Sequence, residues 1–236
     1  MKAWKQAMKA AFPATIPVLM GYLFIGVAFG VLFQSKGYHA GWAALMSLCV
    51  YAGSMQFVAI NFFAPGVGFL QMILMTLMVN ARHVFYGLSM LKPFQGMGKK
   101  KPYMIFSLTD ETYSLLCGAK APEGVEKNRF FFSIALLDQL YWIAGSVLGG
   151  VAGTLIPFDT TGIDFAMTAL FVVIFVEQWL AARRHLPALI GLAGAALCLL
   201  IFRAENFILP AMLVIVAALL GGRRFIEKEE KGDGEK

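Results

Sequence analysis

The chain has 236 residues, of which 59% are hydrophobic and 14% charged, with a mean hydropathy of +0.70. A soluble domain of this length would carry about a quarter charged residues, so the composition excludes one and implies an integral membrane protein. The formal charge of +6 sits mainly in loops and tails, where basic residues hold the cytoplasmic side without any need for nucleic acid.

The apolar runs have helix length rather than the alternation of barrel strands. The expected fold is therefore an all-α polytopic bundle of about seven or eight transmembrane segments in the cytoplasmic membrane. Residues 1–11 read as a basic amphipathic lead-in, 12–220 as one transmembrane transporter domain, and 221–236 as a charged, disordered tail. The first apolar run is long and lacks an evident small-residue cleavage site, so it reads as a retained helix and not a signal peptide. Cys49, Cys117 and Cys198 stand singly in apolar runs and are expected to be small buried hydrophobes.

Helix one is predicted from Pro13 to Phe33, with Pro13 and Pro17 near its start and a GxxxG pair at Gly26 and Gly30. Segment two, Trp42 to Phe63, is small and polar in its centre, Tyr51-Ala-Gly-Ser-Met-Gln56. Gly53 and Ser54 mark either an unwound turn beside a cavity or a packing face of small residues. Segment three, Phe69 to Leu91, carries Asn80, Arg82, His83 and Tyr86 within an apolar run. A guanidinium at bilayer depth costs roughly 2.5 kcal/mol or more on insertion scales, so it marks a site or a structural ion pair. Segment four, Tyr103 to Ala119, is short and bears adjacent carboxylates at Asp110 and Glu111. It is either re-entrant or a span buried on most sides.

Segment five, Phe130 to Ile156, contains Asp138, Gln139 and a double GxxxG at Gly145, Gly149 and Gly153. The acidic loop PFDTTGID after it suits the outer side. Segment six, Phe165 to Ala182, contains Glu177 and Gln178, and Arg183 to His185 mark an inner loop. Leu186–Phe202 and Phe207–Leu220 form a last hairpin. The basic-loop rule puts the N-terminus, Lys120–Arg129, Arg183–His185 and the C-terminus inside. Eight crossings would then leave Lys99–Lys101 outside. Either that loop breaks the rule, or segment two or four is re-entrant and the count drops to about seven. Segments one to three and five to seven share an order that resembles a weak internal repeat, the arrangement transporters use to build a site at the repeat interface.

Arg82 suits an anionic group because its planar fork matches a carboxylate, and Asp110, Glu111, Asp138 and Glu177 are its possible structural partners. His83 can carry a proton near neutral pH or serve as a neutral packing residue. Asp110 and Glu111 point about 100° apart on a helix, so one of them is expected to face the site. Ser54, Gln56, Asn80 and Tyr86 complete the candidate set for substrate binding or proton coupling. Together these groups suit a zwitterion with an apolar side chain. No metal-ligand spacing and no nucleotide-binding loop occur, so no cofactor is expected and energy must come from a gradient or a separate protein. Ser54 with His83 as nucleophile and base would make an intramembrane hydrolase, but no GxSxG is present. A channel would be expected to show a repeated filter-like loop.

The order AGSMQF (Ala52–Phe57), VNARHVFYGLSM (Val79–Met90) and LTDETYSL (Leu108–Leu115) resembles the AzlC family, the large subunit of branched-chain amino-acid exporters. The opening FPATIPVLMGYLFIGVAFGVLF looks like that family's first helix. The resemblance implies a permease that exports leucine, isoleucine and valine, working with a small AzlD-type membrane subunit. It carries over Gln56, Asn80, Arg82, His83, Tyr86, Asp110 and Glu111 as recurrent polar positions. Proton coupling is an expectation beside it, and other apolar amino acids such as methionine are the alternative cargo.

Overall fold

The computed structural model describes residues 2–63, 67–155, 185–206 and 213–222, with single positions 165, 172, 175, 176, 179, 180, 210 and 211 between them. Its helices include α1 (Lys2–Ser35), α2 (Ala40–Cys49), α3 (Gly53–Phe62), α4 (Phe69–Ser89), α5 (Lys101–Phe106), α6 (Asp110–Gly118), α7 (Lys127–Leu155) and α8 (Leu186–Asn206). No strand occurs among the described residues. The chain divides into two compact units, Met1–Leu170 and Phe171–Lys236. In the second, Gly194 of α8 packs against Ile215 of an apolar helix over Leu213–Gly222.

Among the described residues, two helices, Ala3–Ser35 and Lys127–Leu155, are long and apolar enough to cross a membrane. They run parallel and touch backbone to backbone. A Cβ added at Gly26 would lie 3.1 Å from Gly145 Cα, and one at Gly30 or Gly149 would overlap the facing main chain. The predicted GxxxG motifs thus face each other, because only small residues let helices approach this closely. Trp4 packs edge-on to Phe132 near the start of the pair, and Gln34 meets Gly153 near its end. The outward faces of α1 and α4 expose Met20, Phe24, Phe69, Leu70 and Phe85, an apolar surface that suits lipid.

Segments two and four are both interrupted. Between α2 and α3 the chain breaks at Val50–Ala52, where Tyr51 takes a left-handed φ of 42°. Segment two unwinds just ahead of Gly53 and Ser54, which themselves lie in α3, so both readings of it hold in part. That glycine has another reason: a Cβ there would sit 3.1 Å from the Trp142 indole. Segment four breaks at Ser107–Thr109, where the Thr109 hydroxyl caps α6 by accepting from Thr112 N.

Each interrupted segment turns back toward the end from which it came. α2 starts against α7 at Ala40–Gly150 and reaches Gln139 at Leu48. α3 then returns, with Gly53 on Trp142, Phe57 on Phe29, and Phe63 on Phe33 and Tyr38 beside the α1–α2 loop. From the opposite end, α5 starts where Lys100 stacks on Trp4 and reaches Tyr51 at Phe106. α6 leads back to the loop before α7, whose Arg129 also lies over Trp4. The tips meet in the middle. There Gln139 of α7 accepts from the Tyr103 hydroxyl of α5 (2.8 Å) and donates to the Leu48 carbonyl of α2 (3.2 Å).

The order long helix, then broken hairpin occurs twice, in α1–α3 and in α4–α6, with opposite direction. This differs from the expected repeat of segments one to three and five to seven, part of which lies outside the described residues. Glu177, the PFDTTGID loop and residues 223–236 also lie outside them. Cys198 is buried as expected, but Cys49 and Cys117 are exposed. They sit on outward faces of short helices, where a thiol suits an apolar surround.

Gly149→Val should destabilise the purified protein by about 1–3 kcal/mol or prevent its folding, because the added atoms meet backbone that cannot yield. Gly21→Ala, with open space at its Cβ, should leave the melting temperature unchanged or slightly raised. Equal melting temperatures for the two variants would contradict the α1–α7 contact.

Candidate functional site

The side chains of α4 at Arg82, Tyr86 and Ser89 project toward the two hairpins at helical spacing. Arg82 Nη1 pairs with Asp110 Oδ2 at 2.6 Å, and Nη2 donates to Ser54 Oγ at 2.5 Å. One guanidinium thus joins the first residues of α3 and α6, just beyond the two breaks. The side chains of Arg82 and Asp110 are 22% and 29% exposed, so the pair is reachable yet largely desolvated. Arg82 Nε is buried without a hydrogen-bond partner among the described residues. The Tyr86 hydroxyl donates to Asp110 Oδ1 at 2.7 Å, so both oxygens of that carboxylate are held. Tyr86 stacks on Tyr113 at 4.3 Å, and Ser89 donates to the Tyr113 hydroxyl at 3.1 Å. Beside this stack opens a cavity of about 600 Å³, lined by Ser89, Met90, Tyr113, Leu116, Lys120 and Lys127 among others.

The other predicted polar residues fall into separate groups. Asn80 donates to the Thr76 carbonyl (3.0 Å), and His83 Nδ1 lies 3.3 Å from the Asn80 carbonyl, so both engage their own helix. Ser54 and His83 are not brought together as a nucleophile and base. Gln56 is fully buried: it accepts from Trp142 Nε1 at 2.8 Å and donates to Ser47 Oγ at 3.1 Å. Ser47 donates on to Ser146 at 2.8 Å, so this group fastens the α2–α3 hairpin to α7. Glu111 forms no ion pair with Arg82 among the described residues and accepts from the Tyr22 hydroxyl of α1 at 2.9 Å. The Thr112 hydroxyl lies 2.9 Å from Asp138 Oδ2. Of the four carboxylates weighed as partners for Arg82, Asp110 is the one that pairs with it; Glu177 lies outside the described residues.

Tyr22, Ser47, Thr109, Thr112 and Trp142 belong to these networks but gave no charge signal in the sequence. Thr109-Asp-Glu-Thr112 does carry the pattern of a helix cap followed by first-turn acids. That pattern would have placed a helix start, and hence a break, in the middle of segment four. Chemically, the site offers an anion-binding fork and a carboxylate in one place. Next to it lies apolar surface from Met55, Met75 and Val79.

A family model described as AzlC protein matches residues 17–156, the stretch that contains both hairpins and the whole Arg82 site. This chain belongs to the AzlC family. It is 46% identical over 95% of its length to the "Branched-chain amino acid transport protein AzlC" of Bacillus subtilis (strain 168), covering 88% of that protein. It is 42% identical over 96% of its length to an "Uncharacterized membrane protein" of Helicobacter pylori (strain ATCC 700392 / 26695), covering all of it. It is 25% identical over 84% to the "Inner membrane protein YgaZ" of Escherichia coli (strain K12). No solved structure matches the chain. The fold and these AzlC relatives agree on a helical membrane protein of a transport family.

Arg82→Ala, Asp110→Ala and the double variant form a test of the pair. The coupling between the two positions should be about 1–3 kcal/mol in the unfolding of the detergent-purified protein, since each single change leaves a partly buried charge alone. Additive effects of the two changes would contradict the pairing.

Proposed function

We propose that this AzlC-family chain is the large subunit of a two-component secondary exporter of leucine, isoleucine and valine. It works in the cytoplasmic membrane with a small AzlD-type subunit and draws on the proton gradient. The observation that carries the reading is the Arg82–Asp110 pair between the two hairpin tips. A zwitterionic amino acid brings the same two charges. Its carboxylate replaces Asp110 on Arg82, where Nε stands ready as a further donor, and its ammonium takes the Asp110 oxygens. The pair thus closes the site when empty and opens when loaded, so no charge is left bare in either state. Met55, Met75 and Val79 supply the apolar side of the site. Similarity to the B. subtilis branched-chain amino acid transport protein supports the cargo class.

The same contacts support a topology. With the basic end of α1, α5 and α7 on the cytoplasmic side, α1, α4 and α7 cross and both hairpins are re-entrant. Three apolar segments follow from residue 165 onward, giving about six crossings where hydropathy alone counted seven or eight. Lys99–Lys101 then joins every other basic loop inside, and the conflict with the basic-loop rule disappears. Opposed hairpins that meet at mid-depth support a substrate site of the kind an inverted repeat would build. The cavity beside Lys120 and Lys127 opens toward the inside and gathers anionic carboxylates for export.

The test is efflux of labelled leucine, isoleucine and valine from preloaded cells that express this chain with its small partner. Wild type should export all three, and Arg82→Ala should lower export at least about tenfold, the cost of one charge-assisted contact. Export by Arg82→Ala equal to wild type would sink the site. Efflux of methionine but of none of the three would reassign the cargo.

A further inference from the structure

The Arg82 site leaves a second line of polar groups unused. Glu111 Oε2, the Tyr22 hydroxyl, the Thr109 hydroxyl, the Thr112 hydroxyl and Asp138 Oδ2 follow one another at 2.9, 2.5, 3.1 and 2.9 Å. The line joins α1, α6 and α7 and has a carboxylate at each end. Four oxygen–oxygen contacts need four hydrogens, and the three hydroxyls supply three. With both carboxylates ionised, two oxygens would face each other with no hydrogen between them. One further proton, on either carboxylate, completes the line.

The ends differ. Asp138 is fully buried, and its Oδ1 has no hydrogen-bond partner among the described residues. A neutral acid tolerates one unpaired carbonyl oxygen at a cost of about 1–3 kcal/mol, whereas an ionised carboxylate so placed would cost far more. Glu111 is exposed. The resting proton therefore belongs on Asp138, with each hydroxyl donating toward Glu111. The other ionisable groups nearby are Arg82 and Asp110, which neutralise each other beside Glu111, and the Tyr51 and Tyr103 hydroxyls around Asp138.

We propose that Asp138, Thr112, Thr109, Tyr22 and Glu111 form a relay that holds one proton and passes it between a buried and an exposed carboxylate. In one passage the Asp138 proton moves to Thr112, that of Thr112 to Thr109, that of Thr109 to Tyr22, and that of Tyr22 to Glu111. Each O–H bond broken is matched by one formed, the negative charge moves from Glu111 to Asp138, and the order of donors reverses. The use of this relay to drive export rests on the exporter reading above. Glu111 adjoins Asp110, so whether a substrate ammonium occupies Asp110 shifts the balance of the proton between the two ends of the relay.

The relay is tested on the purified full chain by infrared spectroscopy, without substrate. Wild type should show a carboxylic-acid carbonyl band that Asp138→Asn removes. On transfer to heavy water the band should shift at once in wild type. In Thr112→Val and Tyr22→Phe, which keep shape and both carboxylates, it should shift at least about tenfold more slowly, because the buried proton has lost its path. No band removed by Asp138→Asn, or equally fast shifts in wild type and both blocked variants, would overturn the relay. In proteoliposomes with the small subunit, the blocked variants should lose leucine-driven proton movement and keep leucine exchange. Proton movement retained in both would also overturn it. Absence of leucine movement in every form, with the infrared pattern as expected, would end the exporter reading and leave the relay standing.

Discussion

Backbone amides and carbonyls cannot be left bare at bilayer depth, where each costs several kcal/mol. Everything in the first unit depends on how two interrupted helices meet that constraint. Helix α7 answers it. Gln139 donates to the Leu48 carbonyl in the last turn of α2 and holds α5 through Tyr103. Trp142 and Ser146 hold the α2–α3 hairpin a second time, through Gln56 and Ser47. These bonds form only because α7 lies flat against α1 along facing glycines, which gives both hairpins one rigid wall. The glycine stripe and the polar ladder are two faces of one helix. The first sets its distance from α1, and the second sets the depth at which the hairpins stop.

The breaks in turn create the site. A continuous helix would present Ser54 and Asp110 as single side chains on buried walls. Broken, the same residues stand in the first turns of α3 and α6, where Arg82 can bind both. The guanidinium that looks costly in the sequence is neutralised by a carboxylate whose second oxygen is fixed by Tyr86. An ion pair of this kind contributes little net stability over an apolar substitute, which favours its retention for binding over its retention for folding.

Much of this was legible in the sequence. Asn80-Ala-Arg-His inside an apolar run marked the helix of the candidate site, and the GxxxG motifs marked the pair that holds the fold. Hydropathy alone left open whether segments two and four were continuous or broken, because two short helices and one longer span have the same composition. The polar centre around Tyr51–Gln56 and the cap at Thr109 were the available signs of a break. Asp110 was among the possible partners of Arg82, and side-chain direction on α6 decided for it over Glu111. Tyr22, Thr112 and Trp142 could not be found in advance, since a lone hydroxyl or indole in a membrane helix is ordinary until its neighbour across the bundle is known. Gln56 and Asn80 show the reverse: polar residues of the recognised motifs that serve packing or their own helix turn.

The proposed site requires two hairpins that enter from opposite sides and meet. Substituted-cysteine accessibility in intact cells tests this most directly, on a background without Cys49, Cys117 and Cys198. Cysteines at Lys36 and Val67 flank the first hairpin, and cysteines at Gln95 and Glu123 flank the second. A membrane-impermeant maleimide should label the first two from outside and the second two only after permeabilisation. Labelling of Lys36 and Val67 positions from opposite sides would make segment two a full crossing and contradict the arrangement of the site.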